Sequence, residues 1–253
     1  MVYTPHFLVL AGDGINCERE TALAFQQSNA KASIVHINDI IDNPSFLKKF
    51  DGMALPGGFS FGDELGGGKI LALKIKHGLG QEFLRFEEDK KPIIGICNGF
   101  QVLVKLGLLP WPSTERVMAL TYNESGTFVD QWTELIVEKE TVCKWTILIE
   151  APKIELPSRH GEGRIVFKHD REDTIYRKLK KNGQIPFTYR ENINGSLHDI
   201  AGICDPTGMI LGMMPHPEAY LFEATGRLKK SDPFAKGAGQ LVFDSMMQYL
   251  KES

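Results

Sequence analysis

The sequence predicts an α/β protein with a mostly parallel central sheet, helices on both faces and antiparallel additions in its second half. In the first half, short strand-like runs alternate with helical patterns. These runs are apolar throughout, which is typical of parallel strands buried on both faces. After Pro110, short strand-like segments follow one another with few helices, which favours antiparallel strands in the same sheet or in a second sheet beside it.

Four strand-like runs alternate with helical patterns in the first half. The runs cover residues 7–11, 33–37, 52–55 and 92–97. Apolar residues at helical spacing predict helices over 18–28 and 99–108, and the pair Asn43-Pro44 opens another helix. This alternation indicates parallel strands joined by helical crossovers.

The second half adds short strands and a final helix. Strand-like segments cover residues 127–137, 144–149, 164–167, 185–189 and 209–213, and a helical pattern over 243–250 can return to the parallel half. The chain contains no linker rich in proline, glycine or serine, no internal repeat and no low-complexity tract. We therefore expect one domain over residues 1–253.

The composition is that of a globular protein without a large excess of one charge. Of the 253 residues, 42% are hydrophobic and 24% are charged, and the formal net charge is −3. A chain of this length can bury a sizeable core. The charge balance gives no reason to expect a nucleic-acid partner.

The N-terminal segment and the cysteines favour a cytoplasmic location. The first residues lack the basic region of a signal peptide, and no apolar run is long enough to span a membrane. The four cysteines, Cys17, Cys97, Cys143 and Cys204, are widely spaced and form no C-x-x-C pair. We expect free thiols in a reducing compartment and no membrane contact.

Cys97 is the first candidate for chemistry, because it lies between a buried strand and a helix in the pattern Gly95-x-Cys97-x-Gly99. This is the cysteine version of a nucleophile elbow, in which the glycines let strand and helix approach closely. The helix N-terminus favours a thiolate, and the N–H of Asn98 can point at a developing oxyanion. A buried structural cysteine is the alternative interpretation of this motif alone.

His216 is the candidate base for this nucleophile. It follows a strand-like segment and is bracketed by Pro215 and Pro217, with Glu218 two residues further on. Glu218 can accept a hydrogen bond from the imidazole and set its tautomer. A surface turn is the alternative for the histidine alone, but an elbow cysteine together with His-x-Glu after a late strand is more specific than either part.

Gly58 is the candidate for a second oxyanion donor. It belongs to a Gly-Gly pair after the strand at 52–55, which we expect beside the strand that ends at Cys97. Glycine lets the backbone come close and direct an N–H inward. Without Cys97, an ordinary Gly-Gly turn would be the preferred interpretation.

Three motifs together resemble the class I (triad) glutamine amidotransferases. They are GICNGFQVL, LPGGFSFGDELGGG and MMPHPE, which contain Cys97, Gly58 and His216. Further segments are similar to the glutaminase subunits of phosphoribosylformylglycinamidine synthase, namely Asn16-Cys17, residues 57–63, Asn98, and residues 123–128, 160–163 and 200–204. The motifs span residues 12–218 in the expected order. The resemblance implies a flavodoxin-like class I glutaminase fold.

The resemblance also implies a reaction and its partners. Cys97 attacks the side-chain amide of glutamine, a thioester forms with release of ammonia, and water hydrolyses the thioester to glutamate. A separate formylglycinamide ribonucleotide synthetase subunit uses the ammonia, with ATP and magnesium, in de novo purine biosynthesis. A small third subunit assists assembly. This chain itself needs no cofactor.

Residues outside the triad are implied to bind glutamine. Gln101, one helical turn after the nucleophile, is similar to a glutamine-binding residue of the wider family. The resemblance implies that a short segment holds the amino and carboxylate ends of the substrate, and its residues are His160, Gly161, Glu162 and Gly163.

No metal is expected at these residues. His160 and Glu162 lack a third ligand at a suggestive spacing. The glycine run at 66–68 lacks the Lys-Ser/Thr of a phosphate-binding P-loop.

The sequence departs from the family pattern at three places. Ala219 stands where many relatives have arginine, and residues 64–69, Glu-Leu-Gly-Gly-Gly-Lys, differ from the arginine or alanine often found before the last glycine. Both changes lie where a glutaminase could meet its partner. The stretch 141–157 is longer than the resemblance leads us to expect.

Two other functions are compatible with the same residues. A cysteine elbow on a doubly wound sheet also suits a stand-alone γ-glutamyl hydrolase or cysteine peptidase, although Asn16-Cys17 and residues 58–63 favour the synthase subunit. A non-catalytic binding subunit with a decayed site is the second alternative, and the intact Cys97, His216 and Glu218 argue against it.

Overall fold

Eleven strands form two sheets in the computed structural model, which describes residues 3–227 and 232–252. The strands are β1 (His6–Ala11), β2 (Lys31–His36), β3 (Gly52–Leu55), β4 (Ile93–Ile96), β5 (Met118–Thr121), β6 (Val129–Val137), β7 (Lys153–His160), β8 (Arg164–Phe167), β9 (Phe187–Tyr189), β10 (Ile200–Cys204) and β11 (Ile210–Met213).

The central sheet has nine strands in the order β2-β1-β3-β4-β11-β10-β9-β6-β7. The pairs from β2 to β11 are parallel, and the pairs from β11 to β7 are antiparallel. Strands β5 and β8 form a separate antiparallel pair. The predicted fold class is therefore confirmed, and the antiparallel strands both extend the main sheet and form a second one.

The described part of the chain contains seven α-helices. They are α1 (Glu18–Gln27), α2 (Ile37–Asp42), α3 (Lys69–Gly78), α4 (Gly80–Glu88), α5 (Asn98–Leu106), α6 (Glu172–Lys181) and α7 (Gln240–Glu252). Short 3-10 helices occupy Pro44–Lys49, Ser60–Asp63, Lys144–Thr146, His169–Arg171, Leu197–Asp199, Pro217–Ala219 and Glu223–Thr225. Among the described residues, no helix combines the length and the apolar character needed to cross a membrane.

The central parallel strands are buried on both faces, as their apolar sequences predict, whereas the edge strand β2 is partly exposed and departs from that prediction. Every residue of β3, β4 and β11 is buried. On one side of the sheet, Phe7 of β1 stacks on Phe25 of α1, with ring centroids 4.2 Å apart. Phe25 also meets Phe243 of α7 edge to face at 5.1 Å. The C-terminal helix therefore returns to the parallel half, as predicted.

The prediction of a strand over 144–149 is wrong. Residues Lys144–Thr146 form a 3-10 helix, because Trp145 turns fully into the core and donates its indole N–H to the Met209 carbonyl at 2.9 Å. Leu148 N–H donates to Ser245 Oγ of α7 at 3.1 Å. The long stretch 141–157 thus packs the end of the sheet against α7 and then continues into β7.

Other differences arise from local capping and from weak sequence signals. The strand predicted over 33–37 ends at His36, because the His36 side chain accepts a hydrogen bond from Asn38 N–H and caps α2. The helix opened by Asn43-Pro44 is a short 3-10 helix. The sequence did not predict α2, α3, α4, β5, β7 or β10 as elements. Glycines precede α3 and α4, and β7 contains a proline and several polar residues, which weakens their signals.

Three adjacent strands carry the predicted chemistry at one edge of the sheet. Strands β3, β4 and β11 are parallel neighbours, so their carboxyl ends lie together. The chain continues from these ends into Gly57-Gly58, Cys97 and His216 respectively. The carboxyl edge of a parallel sheet is where open α/β folds bind ligands.

Candidate active site

Cys97 occupies a strained turn between β4 and α5. Its backbone angles are φ 51° and ψ −105°, in the positive-φ region that costs a non-glycine residue about 1–3 kcal/mol. A Cβ on Gly95 would lie 2.6 Å from the Gly99 carbonyl oxygen, and a Cβ on Gly99 would lie 1.8 Å from the Leu55 carbonyl oxygen. The two glycines therefore allow the close approach that the elbow motif predicts.

The Cys97 thiol lies at the N-terminus of α5 and is 6% exposed. Its Sγ donates a weak hydrogen bond to the Arg159 carbonyl oxygen at 3.5 Å. The N-terminus of a helix carries the positive end of its dipole, which favours negative charge on the sulfur. The thiol therefore lies beside the positive end of the α5 dipole.

His216 and Glu218 form a buried pair beyond the end of β11. His216 Nδ1 lies 2.6 Å from Glu218 Oε1, so the carboxylate accepts the Nδ1 proton. The His216 backbone N–H donates to the Pro157 carbonyl at 2.8 Å, which fixes the residue against β7. Nε2 has no hydrogen-bond partner in the described ranges. The pair therefore leaves Nε2 as the nitrogen that can accept a proton.

Two opposing effects set the protonation of His216. Burial lowers its pKa, but interactions with Glu218, Cys97 and Cys17 raise it. The net result is a pKa well above the ordinary histidine value. An imidazolium near Cys97 is therefore favoured, as in nucleophilic cysteine sites.

Gly57 makes room for the His216 ring. A Cβ at Gly57 would lie 2.6 Å from His216 Cε1 and 3.3 Å from Nδ1. In the sequence, Gly57 is recognisable only as one half of a Gly-Gly pair. Its contact shows that the first glycine of the pair is needed for the position of the His216 ring.

Gly58 and Asn98 present free backbone N–H groups near Cys97. Gly58 has φ 142°, and a Cβ there would lie 2.6 Å from the Gly14 carbonyl oxygen. Neither N–H donates a hydrogen bond among the described residues, whereas the neighbouring Phe59 N–H donates to Gly14. Two unpaired N–H donors next to a nucleophile are the elements of an oxyanion hole.

The Asn98 side chain ties the elbow to the loop that follows Gly58. Its Oδ1 accepts from Ser60 N–H at 3.3 Å, and its Nδ2 donates to Asp63 Oδ1 at 3.0 Å and to Gln101 Oε1 at 2.9 Å. Burial raises the pKa of Asp63, and hydrogen bonds from Gly68 N–H and Asn98 oppose that rise. The asparagine therefore fixes both the loop and Gln101.

One pocket contains most of the predicted site residues. It is lined by Gly58, Phe59, Asp63, Cys97, Gln101, Tyr122, Phe128, Arg159, His160, Gly161 and Glu162. Gln101 Nε2 donates to the Glu162 carbonyl at 2.6 Å, and Gly67 N–H donates to Glu162 Oε2 at 3.1 Å. Helix α5, the 60–68 loop and the turn after β7 thus meet around this pocket.

Asn123 supports the turn at 160–163. Its Oδ1 accepts from His160 Nδ1 at 3.1 Å and from Gly163 N–H at 3.2 Å, and its Nδ2 donates to the His160 carbonyl at 2.8 Å. Burial, followed by the charge of His216, lowers the pKa of His160 to about 4. His160 is therefore neutral at neutral pH.

Several residues of this arrangement were not singled out from the sequence. Asn123 carried a signal, since it opens the Asn-Glu-Ser-Gly motif. No sequence signal indicated that the Arg159 carbonyl would contact the Cys97 thiol. Nor did any signal indicate that Cys17 Sγ would lie 4.0 Å from His216 Nδ1. Cys17 and His216 are 199 residues apart in sequence, so no spacing rule connects them.

The arrangement has the parts needed for nucleophilic acyl transfer. A cysteine at a helix N-terminus, an imidazole oriented by a carboxylate, and two free N–H groups lie at the carboxyl ends of three adjacent strands. Such a set can attack a carbonyl, stabilise the oxyanion and move a proton to the leaving group.

Residues 4–250 match a family described as the CobB/CobQ-like glutamine amidotransferase domain. The chain is 41% identical to phosphoribosylformylglycinamidine synthase subunit PurQ of Methanococcus maripaludis, over 98% of this chain and 96% of that protein. It is also 41% identical to the subunit of the same name from Dehalococcoides mccartyi, over 85% of each chain.

The solved structures include a similar chain from Thermotoga maritima, described as the structure of PurLQS. The TM-score is 0.77 and the sequence identity is 32%, over 98% of this chain and 100% of that one.

The pH dependence of stability should report the buried state of His160. Because its folded pKa of about 4 lies below the unfolded value of about 6.5, its contribution is fully present above pH 6.5 and is lost as the pH falls toward 4. Between pH 7 and pH 5, the wild type should lose about 2 kcal/mol more unfolding free energy than His160→Asn.

Chemical denaturation at the two pH values measures this difference. His77→Asn is the matched control, since His77 is exposed on α3 and should leave the pH dependence as it is in the wild type. If the wild type and His160→Asn lost the same unfolding free energy between the two pH values, the buried neutral state of His160 would be contradicted.

Proposed function

Because the chain belongs to the CobB/CobQ-like glutamine amidotransferases, we propose that it is the glutaminase subunit of phosphoribosylformylglycinamidine synthase. It hydrolyses glutamine to glutamate and ammonia. The ammonia serves the conversion of formylglycinamide ribonucleotide to formylglycinamidine ribonucleotide. The observation that carries the chemistry is the strained Cys97 beside the His216–Glu218 pair, whose Nδ1 and Oε1 atoms are 2.6 Å apart.

Cys97, His216 and Glu218 are proposed as the catalytic residues. The Cys97 sulfur forms a bond to the amide carbon of glutamine, and the carbonyl π electrons move to oxygen to give a tetrahedral oxyanion. The His216 imidazolium gives its Nε2 proton to the nitrogen as the carbon–nitrogen bond breaks, so ammonia leaves and a thioester remains. Neutral His216 then takes a proton from water, which attacks the thioester and releases glutamate.

The N–H groups of Gly58 and Asn98 are proposed to stabilise both oxyanions. Neither group donates elsewhere among the described residues; Gly58 lines the Cys97 pocket, and Asn98 directly follows Cys97 in the chain. An N–H that is already oriented stabilises the charge without reorganisation during the reaction. The positive φ of Gly58 indicates why glycine is required there.

Glutamine is proposed to bind in the pocket between α5 and the turn at 160–163. Gln101, His160, Gly161 and Glu162 line it, and Gly163 closes the turn through Asn123. The carbonyl of Glu162 already holds the Gln101 amide. Backbone groups of this turn and the Gln101 side chain can fix the polar ends of the substrate, while neutral His160 avoids adding a positive charge beside His216.

The alternative functions are less well supported. A stand-alone γ-glutamyl hydrolase or cysteine peptidase would use the same Cys97 chemistry, but the 41% identity over nearly the whole chain is to synthase subunits. A decayed binding subunit would not need the close contacts of Gly57 and Glu218 with His216.

The proposal also covers the partner subunits and the extent of the glutaminase domain. A formylglycinamide ribonucleotide synthetase subunit uses ATP and magnesium, a small subunit assists assembly, and the complex works in the cytoplasm. We treat residues 1–253 as one glutaminase domain, which one continuous hydrophobic core from β1 to α7 supports. This chain is proposed to need no metal or cofactor for glutamine hydrolysis.

An apolar rim is defined here as Phe59, Tyr122 and Phe128, which line the pocket, together with Leu65, which follows the pocket residue Asp63 in the same loop. Leu65 and Tyr122 are each 68% exposed, and the rings of Phe59 and Phe128 lie 6.2 Å apart. Exposed apolar side chains grouped at a functional pocket mark an interaction site. We assign this rim to the synthetase subunit, because ammonia released at Cys97 must pass to that subunit without loss to solvent.

Substitution of the nucleophile tests the proposed function directly. Cys97→Ala should abolish glutamine-supported formation of formylglycinamidine ribonucleotide by the complex, because no thioester can form. Ammonia-supported formation should persist, because that half of the reaction belongs to the synthetase subunit. Product formation and ammonia release are measured with each nitrogen source.

Cys143→Ala is the matched control, since Cys143 is a buried cysteine outside the pocket. Glutamine-supported synthesis that survives Cys97→Ala would overturn the proposal. Hydrolysis of γ-glutamyl peptides by the isolated chain at the rate of glutamine hydrolysis by the complex would favour the stand-alone hydrolase.

Gly57→Ala should lower glutamine-supported activity about a hundredfold, because the new Cβ would displace the His216 ring. Gly12→Ala is the matched control. Its Cβ would meet the flexible Ile37 side chain at 3.3 Å and would not touch His216. Steady-state kinetics should show the loss mainly in kcat, with ammonia-supported activity retained. Activity within twofold of the wild type would show that the ring can shift without loss.

Leu65→Glu should weaken binding to the synthetase subunit at least about tenfold, because a charge would enter an apolar contact. The chain should unfold as the wild type does, since Leu65 is exposed. Leu84→Glu, on the exposed face of α4, is the matched control and should bind normally. Titration calorimetry or analytical ultracentrifugation measures the affinity. Unchanged affinity for Leu65→Glu would remove Leu65 from the interface.

A further inference from the structure

Cys17, His216 and Glu218 bring three different metal-binding groups together behind the catalytic histidine. Cys17 Sγ lies 4.0 Å from His216 Nδ1, and Glu218 Oε1 lies 2.6 Å from the same nitrogen. The ligand atoms of the three residues all lie within 4.8 Å of one another. No other group of three such residues with this spacing occurs in the described residues.

A tetrahedral cation requires side-chain movements of up to about 1.2 Å, because the ligand atoms now lie as far as 4.8 Å apart. Zinc binds sulfur at about 2.3 Å and imidazole nitrogen or carboxylate oxygen at about 2.0–2.2 Å, so its ligand atoms stand about 3.3–3.6 Å apart. Cys17 Sγ would approach His216 Nδ1 by about half an ångström, and Glu218 Oε1 would move away from it by somewhat more. A thiolate, a carboxylate and a neutral imidazole would also balance the charge of a divalent ion.

An open pocket reaches this cluster from the side of Cys17 and Glu218. It is lined by Asn16, Cys17, Glu20, Arg159, Glu218 and Ala219, among others. Glu218 Oε2 is buried and has no hydrogen-bond partner among the described residues, so it can serve as an additional ligand. The pocket supplies an entry path and space for a water as the fourth ligand. Arg159 is the one cation among the described residues that line it, and it opposes binding.

We propose that Cys17, His216 and Glu218 bind a thiophilic divalent cation such as Zn²⁺, and that the bound ion inhibits the enzyme. The inhibitory part rests on the proposed glutaminase function. The site is separate from the glutamine pocket, since Cys17 and Glu218 do not line that pocket.

Binding changes the protons in a defined way. The Cys17 thiol donates a hydrogen bond to Asn16 Oδ1, with 3.2 Å between sulfur and oxygen. When the ion binds, the thiol loses this proton to solvent and becomes the thiolate ligand. The ion takes the place of the proton between His216 Nδ1 and Glu218 Oε1. A neutral imidazole carries one N–H proton, and with the ion on Nδ1 this proton must sit on Nε2. The protonated Nε2 then has no electron pair available to accept another proton. His216 therefore cannot act as the base, and inhibition follows.

Cobalt spectroscopy on the purified chain tests the site without any activity measurement. In Cys97→Ala, Cys17 is the one thiol left beside His216, so Co²⁺ should give thiolate charge-transfer bands and tetrahedral visible bands. Cys97→Ala/Cys17→Ser should lose the charge-transfer bands. Cys97→Ala/Cys143→Ser is the matched control and should keep them. Charge-transfer bands that persist without Cys17, or that are missing in Cys97→Ala, would overturn the site.

Zinc inhibition of the complex tests the consequence. The Zn²⁺ concentration that halves glutamine-supported activity should rise at least about tenfold in Cys17→Ser, each variant being compared with its own activity without zinc. An unchanged half-inhibiting concentration would place the inhibitory zinc elsewhere, for example on Cys97, and would overturn the inhibitory role.

The two proposals fail in different ways. A complex with no glutamine-supported activity before zinc is added would count against the glutaminase, while the cobalt spectra would still report the site. Cys17→Ala provides a second variant should Cys17→Ser unfold, and both should show thermal unfolding like the wild type, because Cys17 is partly exposed.

Discussion

The contact between Gly99 and the Leu55 carbonyl is the constraint on which the active-site geometry depends. The absence of a Cβ at Gly99 lets α5 approach β3 so closely that any side chain would overlap the carbonyl oxygen, at 1.8 Å. This approach sets the height of the α5 N-terminus above the sheet. Cys97, between β4 and α5, has to adopt a positive φ to join them. The strain at Cys97 is thus offset by the packing of the elements on either side.

The antiparallel strands complete a site that the parallel strands begin. In sheet order, β7 lies five strands from β4, which is about 24 Å across a flat sheet. Yet the Arg159 carbonyl of β7 accepts from the Cys97 thiol at 3.5 Å, and the Pro157 carbonyl accepts from His216 N–H at 2.8 Å. The extension therefore curls back over the carboxyl ends of the parallel strands. Only this curvature brings His160 and Glu162 to the pocket of Cys97.

The sequence was sufficient for the parts of the site that depend on local chain geometry. The elbow around Cys97 follows from two glycines after a buried apolar strand, and the His216–Glu218 contact follows from a two-residue spacing. The contacts of Cys17 and Gly57 with the His216 ring could not be predicted, because they depend on how β1, β3 and β11 stand beside one another. The curled extension was not predictable either, since β7 is a partly polar strand that contains Pro157 and resembles a loop.

The 60–68 loop joins the interior of the site to its outer surface. Phe61 and Asp63 hold positive φ angles, which need support from neighbouring groups. Asn98 gives that support by binding Ser60 N–H and Asp63, and the same side chain holds Gln101. Two residues after the exposed Leu65, Gly67 N–H binds Glu162. A contact at Leu65 therefore acts on a segment whose hydrogen bonds end at Gln101 and Glu162, which couples it mechanically to the shape of the Cys97 pocket.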